Sequence, residues 1–107
     1  MGNFRGGMNE LMRQAARLQR KIDETKKSLA DKEVTATSVG DKVKVTCTYG
    51  RKVSKIEIDP EFLKSEGLEL ALDGVVAAVN SGLEQAEKAM EAEIDKITGG
   101  VKIPGIT

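Results

Sequence analysis

The apolar residues of this chain follow two different periods, and the change between them limits the possible folds. From Met8 to Leu29, with Thr25 at one position, they recur at alternating spacings of three and four, the seven-residue repeat of an amphipathic helix. A second helical stripe runs from Leu68 to Ile97. Between the two stripes the period is two, which predicts β-strands. The pattern therefore predicts an α+β fold in which a sheet separates two long helices.

The boundaries follow from turn and cap signals. We predict a first helix over 8–30 and a three-stranded antiparallel meander with turns at Gly40-Asp41 and Gly50-Arg51. The inward side chains of the three strands are Val34, Ala36 and Ser38, then Val43, Val45, Cys47 and Tyr49, then Val53, Ile56 and Ile58, with a bulge after Val53. Asp59 and Pro60 begin a short helix that stops near Gly67, and a helix of about thirty residues then runs to Gly99-Gly100. We therefore expect one domain, 1–107, with a flexible N-terminus at 1–7 and a flexible Gly/Pro tail at 98–107.

Self-association is expected because one chain cannot bury all of its apolar surface. The 107 residues include only three aromatics, Phe4, Tyr49 and Phe62, so a single chain can build only a lean core. Two long amphipathic helices and a sheet with one apolar face expose more apolar surface than one chain can bury. We therefore predict an intertwined homodimer that shares helices and sheets.

A net charge of zero conceals a strong sorting of charge along the chain. Residues 1–55 carry thirteen Lys/Arg and six Asp/Glu, whereas residues 56–107 carry four and eleven. The two parts thus have charges of +7 and −7. Such an asymmetry indicates that the basic part meets a polyanion or an acidic partner.

The basic residues of the first helix form the sharpest candidate site. Arg13, Arg17, Arg20 and Lys27 recur at spacings of four, three and seven on one ridge, and Lys21 flanks it. Duplex DNA carries one phosphate charge per ~1.7 Å, so a ridge of this length would meet several phosphates. The alternative is a solvated outer face. A second basic group, Lys42, Lys44, Arg51, Lys52 and Lys55, has the alternative role of discouraging edge-to-edge aggregation.

Nothing in the sequence favours catalysis. There is no His, and the single cysteine, Cys47, falls in an apolar strand row, where a buried and inert thiol is expected. The glycine pairs match neither a P-loop nor a dinucleotide fingerprint. The longest apolar run, 75–79, is too short to span a bilayer. We therefore expect a cytoplasmic protein that is not an enzyme, uses no cofactor or metal, and does not associate with a membrane.

Four segments in order resemble the YbaB/EbfC family of bacterial nucleoid-associated proteins. They are the glycine-rich start with 8–15, the strand end 53–60, the helical stretch 76–80 and the tail 100–105. The resemblance covers essentially the whole chain. It implies a tight homodimer whose long helices project like the arms of tweezers, and DNA contacts from the first and last long helices. Arg13, Arg17, Arg20 and Lys21 fit that role, whereas the last helix departs from it with Glu84, Glu87, Glu91 and Asp95.

The resulting expectation is a nucleoid protein that binds double-stranded DNA through phosphates with little sequence specificity. It would compact or bridge DNA and thereby affect gene expression. The alternative is a prefoldin-like chaperone or protein-interaction module that acts on an acidic partner, such as a replication or recombination protein. Prefoldin-type arms need apolar residues at their tips, and the outer helical positions here are charged, which favours nucleic acid.

Overall fold

The computed structural model describes the backbone of residues 2–99 and the side chains of residues 7–99. In chain order the elements are α1 (Gly2–Leu29), β1 (Glu33–Ser38), β2 (Val43–Thr48), β3 (Val53–Ile58), α2 (Pro60–Glu66) and α3 (Leu68–Thr98). The predicted α+β order of elements is confirmed. The molecule measures 77 × 20 × 17 Å, because the two long helices extend well beyond the sheet. Within residues 2–99, no helix combines the length and the apolarity that crossing a membrane requires.

The helix boundaries differ from the prediction at one end. The helix α1 begins at Gly2 and not near residue 8, so the backbone of residues 2–7 continues the helix. Asp59 caps α2 as predicted, since its carboxylate accepts a hydrogen bond of 2.9 Å from the backbone N–H of Glu61. Gly99 ends α3 in the left-handed conformation, and residues 100–107 of the predicted tail lie outside the described part of the chain.

The sheet is the predicted antiparallel meander, in the order β1-β2-β3. Val45 at its centre lies opposite Ala36 on one side and Ile56 on the other. The predicted bulge is present in β3, because Thr46 pairs with Lys55 whereas Cys47 pairs with Val53. The register places the apolar side chains of all three strands on one face.

Small residues of α3 make its closest approach to that face, and the larger Val75, Val79 and Leu83 are partly buried against the same core. The buried positions are Ala71, Gly74, Ala78, Gly82, Ala86 and Ile94. A Cβ added at Gly82 would lie 2.7 Å from the Sγ of Cys47, and one at Gly74 would lie 2.8 Å from a methyl of Val39. The helix backbone therefore approaches the sheet closely. Leu68, where the predicted stripe begins, and Leu72, one turn later, are 62% and 51% exposed.

The core lies between α3 and the first two strands. Val43, Val45 and Cys47 of β2 are fully buried with Ala78, and Phe62 of α2 packs beside them. Burial raises the pKa of the Cys47 thiol, as a buried, inert cysteine requires.

The third strand departs from the predicted core. Val53 and Ile56 lie on the inner face of the sheet but are 42% and 48% exposed, because α3 packs mainly on β1 and β2. An uncovered apolar strip thus runs along β3.

Candidate nucleic-acid interface

The five predicted DNA-binding residues all lie on α1 with exposed side chains. We call Arg13, Arg17, Arg20, Lys21 and Lys27 the α1 ridge. Arg17, Arg20 and Lys21 surround one shallow depression on the helix surface, which Glu24 also lines. Arg13 lies about one turn before this cluster and Lys27 about two turns after it. The structure therefore places three of the five cations around a single point.

The buried side of α1 determines the direction of the ridge. Ile22 is fully buried, and its side chain fixes how the helix is rotated against α3. At ~100° per residue, the four collinear members of the ridge lie between about 140° and 180° around the helix from Ile22. Lys21 lies about 100° from it. Packing of the apolar stripe thus turns the cations toward solvent.

Few of these cations are neutralised by neighbours. Arg13 pairs with Glu10 at 3.7 Å, and both side chains are largely exposed. Arg17, Arg20, Lys21 and Lys27 form no ion pair with any residue whose side chain is described. Exposed pairs such as Arg13–Glu10 contribute little and separate readily. The α1 ridge can accordingly meet an anion at small cost.

The acidic residues of α3 run beside this basic helix. Their exposed members, which we call the acidic stripe, are Glu84, Glu87, Glu91 and Asp95. Glu84 pairs with Lys88 at 3.1 Å on the same helix. Because α1 and α3 pack together, the charge sorting seen along the sequence places a basic helix next to an acidic one. A polyanion at the α1 ridge would therefore be repelled by the carboxylates of the neighbouring helix.

The second basic group is more strongly compensated. Lys42 pairs with Asp59 at 3.4 Å, and Lys55 pairs with Glu57 at 2.7 Å. The hydrogen bond and charge of Lys55 lower the pKa of Glu57, so this carboxylate stays ionised beside it. Two of the five cations in this group are thus paired with carboxylates, compared with one of the five on the α1 ridge.

The sequence did not predict two surface features. One is a cleft of about 280 Å³ between α1, the β2–β3 turn and α3, lined by Lys26, Tyr49, Gly50, Arg51, Glu87, Met90, Glu91 and Ile94. Its residues are too far apart in the chain for any local pattern to join them. The other is at the N-terminal part of α1, where Met8, Leu11 and Met12 are 50%, 63% and 66% exposed. The outer positions of this helix are charged as predicted, but its apolar positions are exposed as well.

Comparison with known proteins gives one consistent family. The profile of the YbaB/EbfC DNA-binding family matches residues 4–101. A nucleoid-associated protein of Clostridium kluyveri is 37% identical over 106 residues, which covers 97% of this chain and 93% of that protein. A nucleoid-associated protein of Acetivibrio thermocellus is 38% identical over 104 residues, with 96% and 92% covered.

A solved structure supports the fold independently. The crystal structure of an uncharacterized protein from Helicobacter pylori superposes with a TM-score of 0.69 at 18% sequence identity. The match covers 85% of this chain and 96% of that one. At this identity the likeness concerns the fold alone.

Proposed function

This chain belongs to the YbaB/EbfC family of nucleoid-associated DNA-binding proteins, and on that premise we propose that it binds duplex DNA through the α1 ridge. The protein would act in the nucleoid, by binding and without catalysis. The observation that carries the proposal is the exposed cluster of Arg17, Arg20 and Lys21, which no described carboxylate pairs with. Arginine supports this role because its planar fork matches two phosphate oxygens.

Contacts to phosphates, and not to bases, fit the composition of this surface. The ridge from Arg13 to Lys27 spans about 21 Å at ~1.5 Å per residue, a distance along which duplex DNA presents several phosphates. No aromatic side chain occurs on α1 between residues 7 and 29, so stacking on unpaired bases has no platform. Phosphate contacts position a protein on DNA without reading its sequence, so we expect low specificity.

A homodimer would double this surface. Val53 and Ile56 on β3 are about half exposed, and Leu68, Leu72 and Val76 form an exposed ridge along the first turns of α3. Apolar side chains of this size and number normally mark an interface. We propose that a second copy covers them, which would give each dimer two α1 ridges. Two ridges on one particle would allow it to bridge or compact DNA and so to affect gene expression.

The protein-interaction alternative stays a prediction. The exposed apolar residues near the start of α1 weaken the argument made against it from sequence, but the family match favours DNA. No contact of the described residues favours an acidic replication or recombination protein as partner.

A charge-matched pair of triple variants tests the ridge. We would measure the affinity for a random-sequence duplex by fluorescence anisotropy across a salt series, for Arg17→Ala/Arg20→Ala/Lys21→Ala and for the control Lys44→Ala/Lys52→Ala/Lys64→Ala. The control removes the same charge from exposed positions on the sheet and α2. If each deleted cation meets one phosphate, the slope of log K against log salt becomes shallower by about 2.7 in the first variant.

The two variants separate a local contact from a general charge effect. We expect the ridge variant to lose at least about tenfold in affinity and the control at most about twofold. Equal losses in both variants, or unchanged affinity in the ridge variant, would show that α1 is not the DNA contact. A second duplex of unrelated sequence should bind the parent protein within about threefold of the first.

A further inference from the structure

The apolar side of α1 is covered along only part of its length. We call Met8, Leu11, Ala15, Leu18 and Ile22 the α1 stripe, because their spacings of three and four place them on one side of the helix. Ile22 is fully buried and Leu18 is half-buried, whereas every residue from 7 to 17 is exposed. We call residues 7–17 the projecting segment. The described residues thus leave its apolar side chains Met8 and Leu11 at least half exposed.

The cover stops where α3 ends. Lys26 of α1 lines the same cleft as Met90 and Ile94 of α3. If the two helices ran parallel, the projecting segment would lie beside the part of α3 that packs on the sheet and would be covered there. Because it is exposed, the helices run antiparallel, and Thr98 at the end of α3 lies near Leu18.

The chain continues from this point with a segment of suitable composition and length. We call residues 100–107 the tail segment. It contains Val101, Ile103 and Ile106, and it follows Gly99, whose left-handed conformation ends α3. Eight residues can extend over about 26 Å, whereas the α1 stripe from Leu18 to Met8 is about 15 Å long. The tail segment is therefore long enough to cover the whole exposed part of the stripe.

The side chain of Thr98 gives an independent indication at the start of this path. Its Oγ1 is buried and has no hydrogen-bond partner among the described residues. Buried hydroxyls normally have a partner, as Thr25 has when it donates to the carbonyl of Lys21 at 2.7 Å. The backbone groups that follow Gly99 are the nearest in the chain that can supply one to Thr98.

The homodimer proposed above does not account for this surface. The apolar residues assigned to it on α3 are Leu68, Leu72 and Val76, and Val76 lies about 33 Å along the helix from Thr98. The dimer contact and the projecting segment are thus at opposite ends of α3. A segment that begins beside the exposed stripe is the simpler cover.

We infer that the tail segment packs in an extended conformation along the α1 stripe of its own chain, from Ala15 toward Met8. Ile103 is four residues after Gly99, about 13 Å of extended chain, and Leu11 is about 10.5 Å before Leu18 along α1. The two side chains therefore lie at similar levels. Arg13 is about 200° around the helix from Leu11, so the tail segment leaves the α1 ridge open. This intrachain contact goes beyond the proposed function and does not depend on it.

Disulfide formation within one chain tests the contact. We would oxidise the double variant Leu11→Cys/Ile103→Cys mildly, without DNA and at low protein concentration, and measure the one-chain product by loss of free thiols. Native Cys47 is fully buried and supplies an unreactive background. The control Ala16→Cys/Ile103→Cys places an exposed cysteine off the stripe. We expect the stripe pair to close at least about fivefold faster than the control pair.

Hydrogen exchange tests the contact without engineered cysteines. Val101→Ser/Ile103→Ser removes apolar side chains from the tail segment, so the amides of the projecting segment should exchange at least about threefold faster, and those of β2 should not change. In an extended segment Lys102 points away from the side that Val101 and Ile103 share. The control Lys102→Gln should therefore leave the exchange of the projecting segment unchanged.

Four results would overturn the inference. Equal closure of the stripe and control pairs would show that the tail segment does not lie on the stripe. Faster closure of Met90→Cys/Ile103→Cys than of the stripe pair would place it in the cleft instead. A two-chain product from mixed Leu11→Cys and Ile103→Cys chains that exceeds the one-chain product would assign the cover to a second copy. Unchanged exchange in Val101→Ser/Ile103→Ser would show that the tail segment does not stabilise α1.

Discussion

Gly82 is the point at which the close approach of α3 to the sheet can be tested most sharply. An alanine Cβ at this position would lie 2.7 Å from Cys47 Sγ, 3.5 Å from Ala36 Cβ and 3.6 Å from Cys47 Cβ. The first separation is about 1 Å shorter than an ordinary carbon–sulfur contact. Cys47 has no exposed surface, and its short side chain has little room to move away. Gly82→Ala should therefore force the helix outward or the sulfur into another rotamer.

The expected change in the free energy of unfolding of Gly82→Ala is the difference between two opposing effects. Overpacking a tight core costs about 1–3 kcal/mol, whereas replacing a mid-helix glycine by alanine stabilises by about 0.5–1 kcal/mol. We expect a net loss of about 1 kcal/mol in the free energy of unfolding. At Gly7 of α1 an added Cβ meets nothing within 4 Å, so Gly7→Ala should instead stabilise slightly.

Urea unfolding at one fixed protein concentration measures these changes, because the stability of an associating chain depends on concentration. The Cys47→Ala background removes the sulfur that the new methyl group would meet. In that background Gly82→Ala should become neutral or stabilising, which gives a coupling of at least about 1 kcal/mol. A Gly82→Ala variant more stable than the parent, or an equal cost in both backgrounds, would refute the close contact.

Three further predictions follow from surface features. We expect dimers of the parent protein in light scattering and single chains of Ile56→Asp, because Ile56 is half exposed in one chain and would lie in the proposed dimer interface. Lys44→Asp, on the other sheet face, should leave the expected dimer intact. The hydrogen bond from the backbone N–H of Glu61 lowers the pKa of Asp59 in the folded protein. The stability that this cap contributes is therefore fully present above the ordinary carboxyl pKa. It is lost as the pH falls through the lowered pKa of the folded state. Asp59→Asn should keep the cap and flatten this acid dependence of the melting temperature, and an unchanged pH profile would contradict it. Glu87→Gln should tighten DNA binding about twofold, whereas Glu69→Gln, about 27 Å away along α3, should not.

The opposite charges of the two packed helices bear on the DNA binding that we propose. The acidic stripe lies on the helix that packs against α1, and its carboxylates would repel phosphates. If DNA binds the α1 ridge, we therefore expect a duplex to lie along α1 and not between the two helices of one chain. We expect α1 to make most of the DNA contacts, in line with the departure of the last helix from the family pattern.

Much of the local structure could be predicted from the sequence. The bulge in β3 followed from the odd spacing between Val53 and Ile56, and the N-cap at Asp59 followed from the pair Asp59-Pro60. The start of α1 was misplaced because glycines are poor helix formers, and a local rule stops the helix at them. The ridge cations were also identifiable, since helical spacing alone places them on one face.

The residues of α3 that pack on the sheet could not all be predicted from the sequence. The predicted stripe began at Leu68, which is exposed, whereas the fully buried residues in the first half of α3 are Ala71, Gly74, Ala78 and Gly82. Hydrophobicity measures the gain from burial, but close packing of a helix on a sheet also selects for small side chains. A periodicity analysis that weights only large residues therefore finds one edge of the packed face, where Val75, Val79 and Leu83 are partly buried, and misses the small residues at its centre.

By itself the sequence determined the order of the elements, the turns, the caps and the line of cations on α1, because each depends on residues within a few positions of one another. Only the tertiary structure decided which apolar side chains remain uncovered. It also decided that the basic helix α1 and the acidic helix α3 pack side by side and that apolar side chains near the start of α1 remain exposed. These features depend on contacts between residues far apart in the chain, where packing distances and relative helix lengths act, and no local pattern records them.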